Sequence, residues 1–152
     1  MQSPPDSLAI PAATRAGLAD ALALLGRLLL AYLFVVEGYG KITAYADVQA
    51  YMAQFGVSGS LLPLVILLEL GGGILIMLGF FTRAVAVALG GFCILTPLIF
   101  HAGSGDEALQ RWKDFAIAGG FLMLAAHGAG AWALDSWAGV RLPGFGRQLT
   151  QR

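Results

Sequence analysis

A chain of 152 residues makes one domain, and 58% hydrophobic against 12% charged residues, with a mean hydropathy of +0.77, exclude a disordered, collagenous or coiled-coil protein and point to a membrane. Nine basic and nine acidic side chains give a net charge of zero, which leaves no electrostatic footprint for nucleic acid. Cys93 is the sole cysteine, so no internal disulfide, dithiol redox pair or cysteine-based zinc site can form within one copy.

In chain order, residues 1–17 carry Pro4, Pro5 and Pro11 and lack the basic and apolar regions of a cleavable signal peptide. They read as a mobile cytoplasmic tail. Apolar runs follow near 20–42, 61–81, 83–100 and 115–132, each apolar on all faces and near the roughly 20 residues a spanning helix needs. The domain 18–138 is therefore expected to be all-α, an integral membrane antiparallel four-helix bundle. Between the first two runs, Tyr45, Val48, Met52 and Phe55 recur at spacings of three and four. That stripe fits a short interfacial helix in the first outer loop, with a plain aromatic-bearing loop as the alternative. Only Thr82 and its neighbours separate the second and third runs, which predicts a tight turn between antiparallel helices. Pro97 is expected to bend the third helix near its outer end. Trp132 and Trp137 fall where an aromatic belt belongs, with Asp135 marking the return to water. Residues 139–152 read as a short basic cytoplasmic tail.

Orientation follows from the flanking cations. Arg15, Arg83, Arg141, Arg147 and Arg152 share the face of the termini, whereas Lys41, Arg111 and Lys113 lie on the other among Asp47, Asp106, Glu107 and Asp114. Retention of basic residues in the cytoplasm predicts an inner (plasma) membrane protein with both termini inside.

Small residues within the runs predict where helices approach. Without a hydrophobic gain from association in lipid, close packing takes over, and Gly38, Gly71, Gly72, Gly73, Gly119 and Gly120 are the expected contact points. There is also a faint internal echo. Gly26-Arg27-Leu28 pairs with Thr82-Arg83-Ala84, and Gly72-Gly73-Ile74-Leu75 with Gly119-Gly120-Phe121-Leu122, as in a parallel repeat of two hairpins.

Charges inside the runs carry the most information, because a charge at the bilayer centre costs at least about 2.5 kcal/mol unless paired, turned inward or wet. Glu37 and Glu69 fall at similar depth, roughly 8 and 12 Å from the outer ends of their runs at the helical rise. Lys41 follows Glu37 by four residues, on the same helical face and in the favourable order. Glu69 has no such neighbour and must find its partner across the bundle, among Lys41, His101, Lys113 and Asp114. Those residues are expected to converge in a polar pocket in the outer half, with Tyr39 and Trp112 beside it. Arg27 and Arg83 form an inner polar set, in which Arg83 reads as a topology anchor reaching to water. His101 and His127 lie near opposite boundaries and cannot share a metal, so no metal site is expected. The network of Glu37, Lys41 and Glu69 reads either as an ion pair fixing how helices dock or as a site for a head group, proton or redox-active ring.

The order of these residues resembles a known family. Gly26-Arg27 opens a first run that holds Phe34 and ends Glu37-Gly38, then Lys41-Ile42. Glu69-Leu70-Gly71-Gly72-Gly73 leads to Gly79 and Thr82-Arg83, Lys113-Asp114 precedes Gly119-Gly120, and Gly128 and Gly130 precede Leu134-Asp135. Over about residues 20–138 this is similar to the DoxX family of small four-helix membrane proteins. The resemblance implies a relation to the DoxD-type subunit of thiosulfate:quinone oxidoreductase, and it places the family's recurrent polar positions on Arg27, Glu37, Lys41, Glu69, Arg83, Lys113 and Asp114. The implied role is a membrane subunit of a quinone-linked oxidoreductase or redox-stress complex. The sequence shows no dinucleotide fingerprint and no metal motif, so the chain is expected to carry no redox centre of its own and to draw electrons from a partner subunit. Two other roles stay open: a binding or transport module for a small solute or lipid, and a scaffold or homo-oligomer docked through glycine-rich faces.

Overall fold

The computed structural model describes residues 12–137, and every regular element among them is helical. Helix α1 (Ala12–Thr43) is built from Ala and Leu with no proline. At 32 residues it runs about 48 Å, longer than the hydrocarbon core of a bilayer. It begins well before the predicted start near residue 20, because nothing in its first two turns breaks a helix. Helix α2 (Tyr45–Gln54) is the predicted amphipathic segment, with Met52 buried beneath it. It stops at Gly56, whose φ of 72° lets the Val57 amide donate back to the Met52 carbonyl at 3.0 Å.

Helix α3 (Gly59–Leu78) opens with a tight turn in which the Ser58 hydroxyl accepts from the Ser60 amide. Over Leu67–Gly71 it widens into a π-helical turn, then tightens again over Gly72–Leu78. It ends at Gly79, with φ 69°, before the predicted residue 81. No other residue fits at Gly79, since a Cβ there would lie 2.5 Å from both the Ala133 Cβ and the Arg27 guanidinium. Helix α4 (Thr82–Phe100) follows after the predicted tight turn and continues one turn past Pro97, which is buried. Helix α5 (Asp106–His127) carries Asp106 and Glu107 in its first turn, where the helix dipole favours acids. The short α6 (Leu134–Trp137) closes the described chain.

The predicted fourth run, 115–132, is displaced. The helix starts at Asp106 and stops at His127, because Gly128 and Gly130 take φ of 84° and 80° and turn the chain back. Trp132 therefore lies in a loop. The basic tail 139–152 and its Arg141, Arg147 and Arg152, and most of the N-terminal tail, lie outside the described residues.

The four long helices share one core. Phe34 of α1 meets Phe121 of α5 edge-to-face at 5.2 Å, over Ile76, Ala86, Leu89 and Leu124. Close approach depends on particular glycines. A Cβ on Gly38 would sit 2.6 Å from the Leu70 amide nitrogen, one on Gly73 3.0 Å from Val35, one on Gly72 3.3 Å from Leu89, and one on Gly120 3.3 Å from Leu30. Gly71 and Gly119 do not serve the packing role expected of them. A Cβ on Gly71 would meet only Leu67 of its own helix, and one on Gly119 would meet nothing.

Outward-facing side chains are large and apolar, with Leu29, Tyr32, Leu67, Val87, Leu95 and Met123 all more than half exposed. A surface of that kind belongs in lipid. Helices α1, α3 and α4 are each long and apolar enough to cross a membrane. Helix α5 is long enough, at 22 residues, but Arg111, Lys113 and Asp114 interrupt its apolar run.

Candidate functional site

The site begins with a charge that its own helix cannot satisfy. Around Glu69 the sequence offers only Leu and Gly, and the π-helical turn that carries it presents its carboxylate inward. Such turns insert an extra residue per turn and recur at functional positions. Lys41 of α1 reaches across so that its Nζ lies 2.8 Å from Glu69 Oε2 and 3.4 Å from Glu37 Oε2. The three groups are graded in burial, with side-chain exposures of 5% for Glu69, 22% for Lys41 and 59% for Glu37. One ammonium thus bridges a buried carboxylate and an exposed one. Close approach of α1 and α3 at Gly38 and Leu70, one residue from each acid, is what brings the pair together.

This ion pair lies on the wall of a cavity of about 710 Å³ between the four long helices, at the end where α2 lies. All six residues expected to converge, Glu37, Lys41, Glu69, His101, Lys113 and Asp114, line it. Asp114 Oδ1 accepts from Gln110 Nε2 at 3.3 Å. Arg111, one residue beyond Gln110, instead turns to donate to the His101 carbonyl at 2.8 Å and ties the start of α5 to the end of α4. The rest of the wall is mainly apolar, from Phe34, Leu62, Phe92 and Ile117 among others.

Helix α2 closes this end. Its Met52 and Tyr51 line the cavity, and Tyr51 stacks on Phe100 at 5.6 Å while Phe55 meets the same ring edge-to-face at 5.2 Å. Gln49 Nε2 donates to the Gly59 carbonyl at 3.0 Å and fastens α2 to the start of α3. Neither Tyr39 nor Trp112 joins the site. Trp112 is 64% exposed and packs edge-to-face on Phe115.

The inner set is a different kind of structure. Arg27 is buried, and its two Nη atoms donate to the Ala129 and Trp132 carbonyls at 2.8 Å each. Arg83 is part-exposed, and its guanidinium also bonds within the fold. Its Nη1 donates to the carbonyls of Ala125 and Ala126 at 2.8 and 2.7 Å, satisfying the end of α5 where the helix leaves acceptors unpaired. Asp135 completes the clamp. Its carboxylate accepts from the amides of Phe81 and Thr82 at 2.8 and 2.9 Å, capping α4 from across the molecule, while its own amide donates to the Gly79 carbonyl. Asp20 accepts from the Ala131 amide. These charges hold the Gly128–Trp137 segment against the helix ends, a role for packing and not for a ligand.

Sequence reasoning missed several wall residues. Val48 and Met52 were legible as part of the stripe at spacings of three and four, but not as lining a cavity, and Tyr51 beside them lay outside that stripe. Cys93 lines the wall, and a lone cysteine within an apolar run carries no signal of that. Gln110 sits four residues before Asp114, a spacing that signals a same-face pair.

The family model of DoxX matches residues 22–102. Among curated proteins, the chain is 48% identical over 120 residues to "Inner membrane protein YqjF" of Escherichia coli (strain K12), covering 78% of this chain and 92% of that protein. It is 34% identical over 123 residues to "Inner membrane protein YphA" of the same organism, covering 75% of this chain and 88% of that protein. No solved structure matches it.

Proposed function

Because the chain belongs to the DoxX family, we propose that it is a multi-pass inner-membrane protein whose cavity binds the ring of a quinone, as the membrane subunit of an oxidoreductase complex. The observation that carries this reading is an apolar cavity of about 710 Å³ with a buried Lys41–Glu69 pair on its wall. Ligand sites have this size and this character, mostly apolar with a few placed polar groups. Both relatives are named as inner membrane proteins, which supports the location.

In this reading all four long helices cross the bilayer. Helix α5 tolerates its charges because Asp114 and Lys113 line the cavity and Arg111 bonds the His101 carbonyl. The excess of cations in the sequence on the face of the Arg83 turn supports a cytoplasmic location for that face and for both termini. A quinone fits the residues present. Phe34, Phe92 and Ile117 offer an apolar slot, Lys41, Lys113 and His101 offer donors for carbonyl oxygens, and Glu37 and Asp114 offer carboxylates that exchange protons with water. When bound, a quinone supplies a two-electron carrier soluble in the lipid phase. The chain's own residues orient the ring, exclude water from it and hold protons beside it, while electrons come from a partner subunit.

The test is purification of the full chain from native membrane, with solvent extraction of bound quinone and identification of bound proteins, followed by quinone titration in nanodiscs. Stoichiometric quinone that Glu69→Ala loses is the expected result. Absence of binding in nanodiscs, or pH-coupled solute flux in proteoliposomes in its place, would overturn the quinone reading in favour of transport. Fusions of a cytoplasmic reporter to each terminus test the orientation.

A further inference from the structure

We infer that the cavity admits uncharged head groups and rejects anionic ones, and that Glu69 sets this selectivity by holding Lys41. The inference rests on the reading of the cavity as a site for an amphiphile with an apolar body, and adds which head group it accepts.

Three carboxylates, Glu37, Glu69 and Asp114, line the cavity against two ammonium groups, Lys41 and Lys113, and no arginine does. Counted as ionised, those five groups sum to a formal charge of −1. Sites that capture carboxylates, sulfates or phosphates present the reverse, an excess of cations and usually an arginine fork or a free helix N-terminus. The start of α5 carries Asp106 and Glu107 in its first turn, which disfavours a further anion there.

Of the two cations, Lys41 is committed twice, at 2.8 Å to Glu69 and 3.4 Å to Glu37. Displacing Lys41 from Glu69 would leave that carboxylate, at 5% exposure, without its cation in a wall of low polarity, whereas Glu37, at 59% exposure, is open to solvent. A neutral ring imposes no such exchange, because its carbonyl oxygens can accept from Lys113, His101 or the remaining hydrogens of Lys41 without separating the pair. The π-helical turn over Leu67–Gly71 is the device that commits Glu69 to this position, since it orients the carboxylate inward from a stretch otherwise apolar.

The selectivity can be read by competition. The full chain in nanodiscs of zwitterionic lipid is loaded with radiolabelled decylubiquinone, and unlabelled decylubiquinone or palmitate is added as competitor. In the wild type, decylubiquinone displaces the label at least 10-fold more effectively than palmitate. In Glu69→Gln, which keeps the shape of the side chain, removes its charge and frees Lys41, palmitate gains at least 10-fold while the neutral competitor changes less than 3-fold. Glu37→Gln, at the exposed end of the relay, leaves Lys41 on Glu69 and shifts palmitate much less.

Equal competition by palmitate in the wild type overturns the inference and leaves the binding reading standing. So does a Glu69→Gln protein that still folds, retains the label and gains nothing for palmitate. Failure of the wild type to retain any label overturns the binding reading itself, and the inference with it. The wild-type comparison needs no variant, so a misfolded Glu69→Gln protein would not rescue a failed inference.

Discussion

Replacing Asp135 with alanine should unfasten the turn between α3 and α4, and the size of the effect can be worked from its contacts. Its two carboxylate oxygens accept from the Phe81 and Thr82 amides at 2.8 and 2.9 Å, the first unpaired donors of α4. Loss of an N-cap acceptor costs about 0.5–2 kcal/mol, and stranding a second donor adds about 1 kcal/mol. The charge also faces the positive end of the α4 dipole, a term of about 0.3–1 kcal/mol at a partly exposed site. Asp135→Ala should therefore lose about 2–4 kcal/mol, and Asp135→Asn, which keeps one acceptor and no charge, about half of that. Phe81 sharpens the test, because it is the one non-glycine residue with positive φ among the described residues, at 49°. A left-handed conformation costs an ordinary residue about 1–2 kcal/mol, and the carboxylate helps hold it there. Phe81→Gly should relieve that strain, so the cost of Asp135→Ala should be smaller in the Phe81→Gly background. Unfolding in mixed micelles by increasing SDS fraction, followed by far-ultraviolet circular dichroism, gives all four corners of the cycle. An Asp135→Ala protein within about 0.5 kcal/mol of wild type, or Asn and Ala variants of equal stability, would refute the capping argument.

The ion pair predicts an asymmetry: Lys41→Met, which leaves Glu69 buried without its cation, should destabilise by about 3–5 kcal/mol, whereas Lys41→Met with Glu69→Leu should recover most of the loss. The same micelle titration checks it, and a double variant no more stable than the single would count against a buried pair. Gly38→Ala places a methyl 2.6 Å from the Leu70 nitrogen and should cost about 1–3 kcal/mol, while Gly119→Ala, which meets nothing, should be neutral or gain up to about 1 kcal/mol from helix propensity. Equal effects at the two glycines would show that the α1–α3 approach is looser than described. Arg27→Met removes two hydrogen bonds that hold the segment after α5, so limited proteolysis should cut near Ala129–Trp132 faster in the variant than in the wild type. Unchanged cleavage would mean that Arg83 and Asp135 hold that segment without it.

Much of this molecule was legible in the residues alone. Hydropathy placed the chain in a membrane, the apolar runs located the second and third spans to within three residues and the end of the first to within one, and the spacing of Tyr45, Val48, Met52 and Phe55 marked α2. The four-residue step from Glu37 to Lys41 announced one contact, and the absence of any local partner for Glu69 implied the other. Those features are local, set by helical period, depth and the cost of burying a charge. What the tertiary structure decided is direction around each helix axis. A helix apolar on all faces has no stripe to fix its rotation, so nothing in the sequence separates Gly38, which touches Leu70, from Gly119, which touches nothing, or the half-buried Asp114 on the cavity wall from the exposed Trp112 two residues before it. The π-helical turn at Glu69, the reach of Arg83 to the end of α5 and the cap that Asp135 places on α4 depend on which helices meet and at what height. The sequence determined that charges would be drawn into the membrane domain, and only packing divided them into a cavity wall at one end and a clamp at the other.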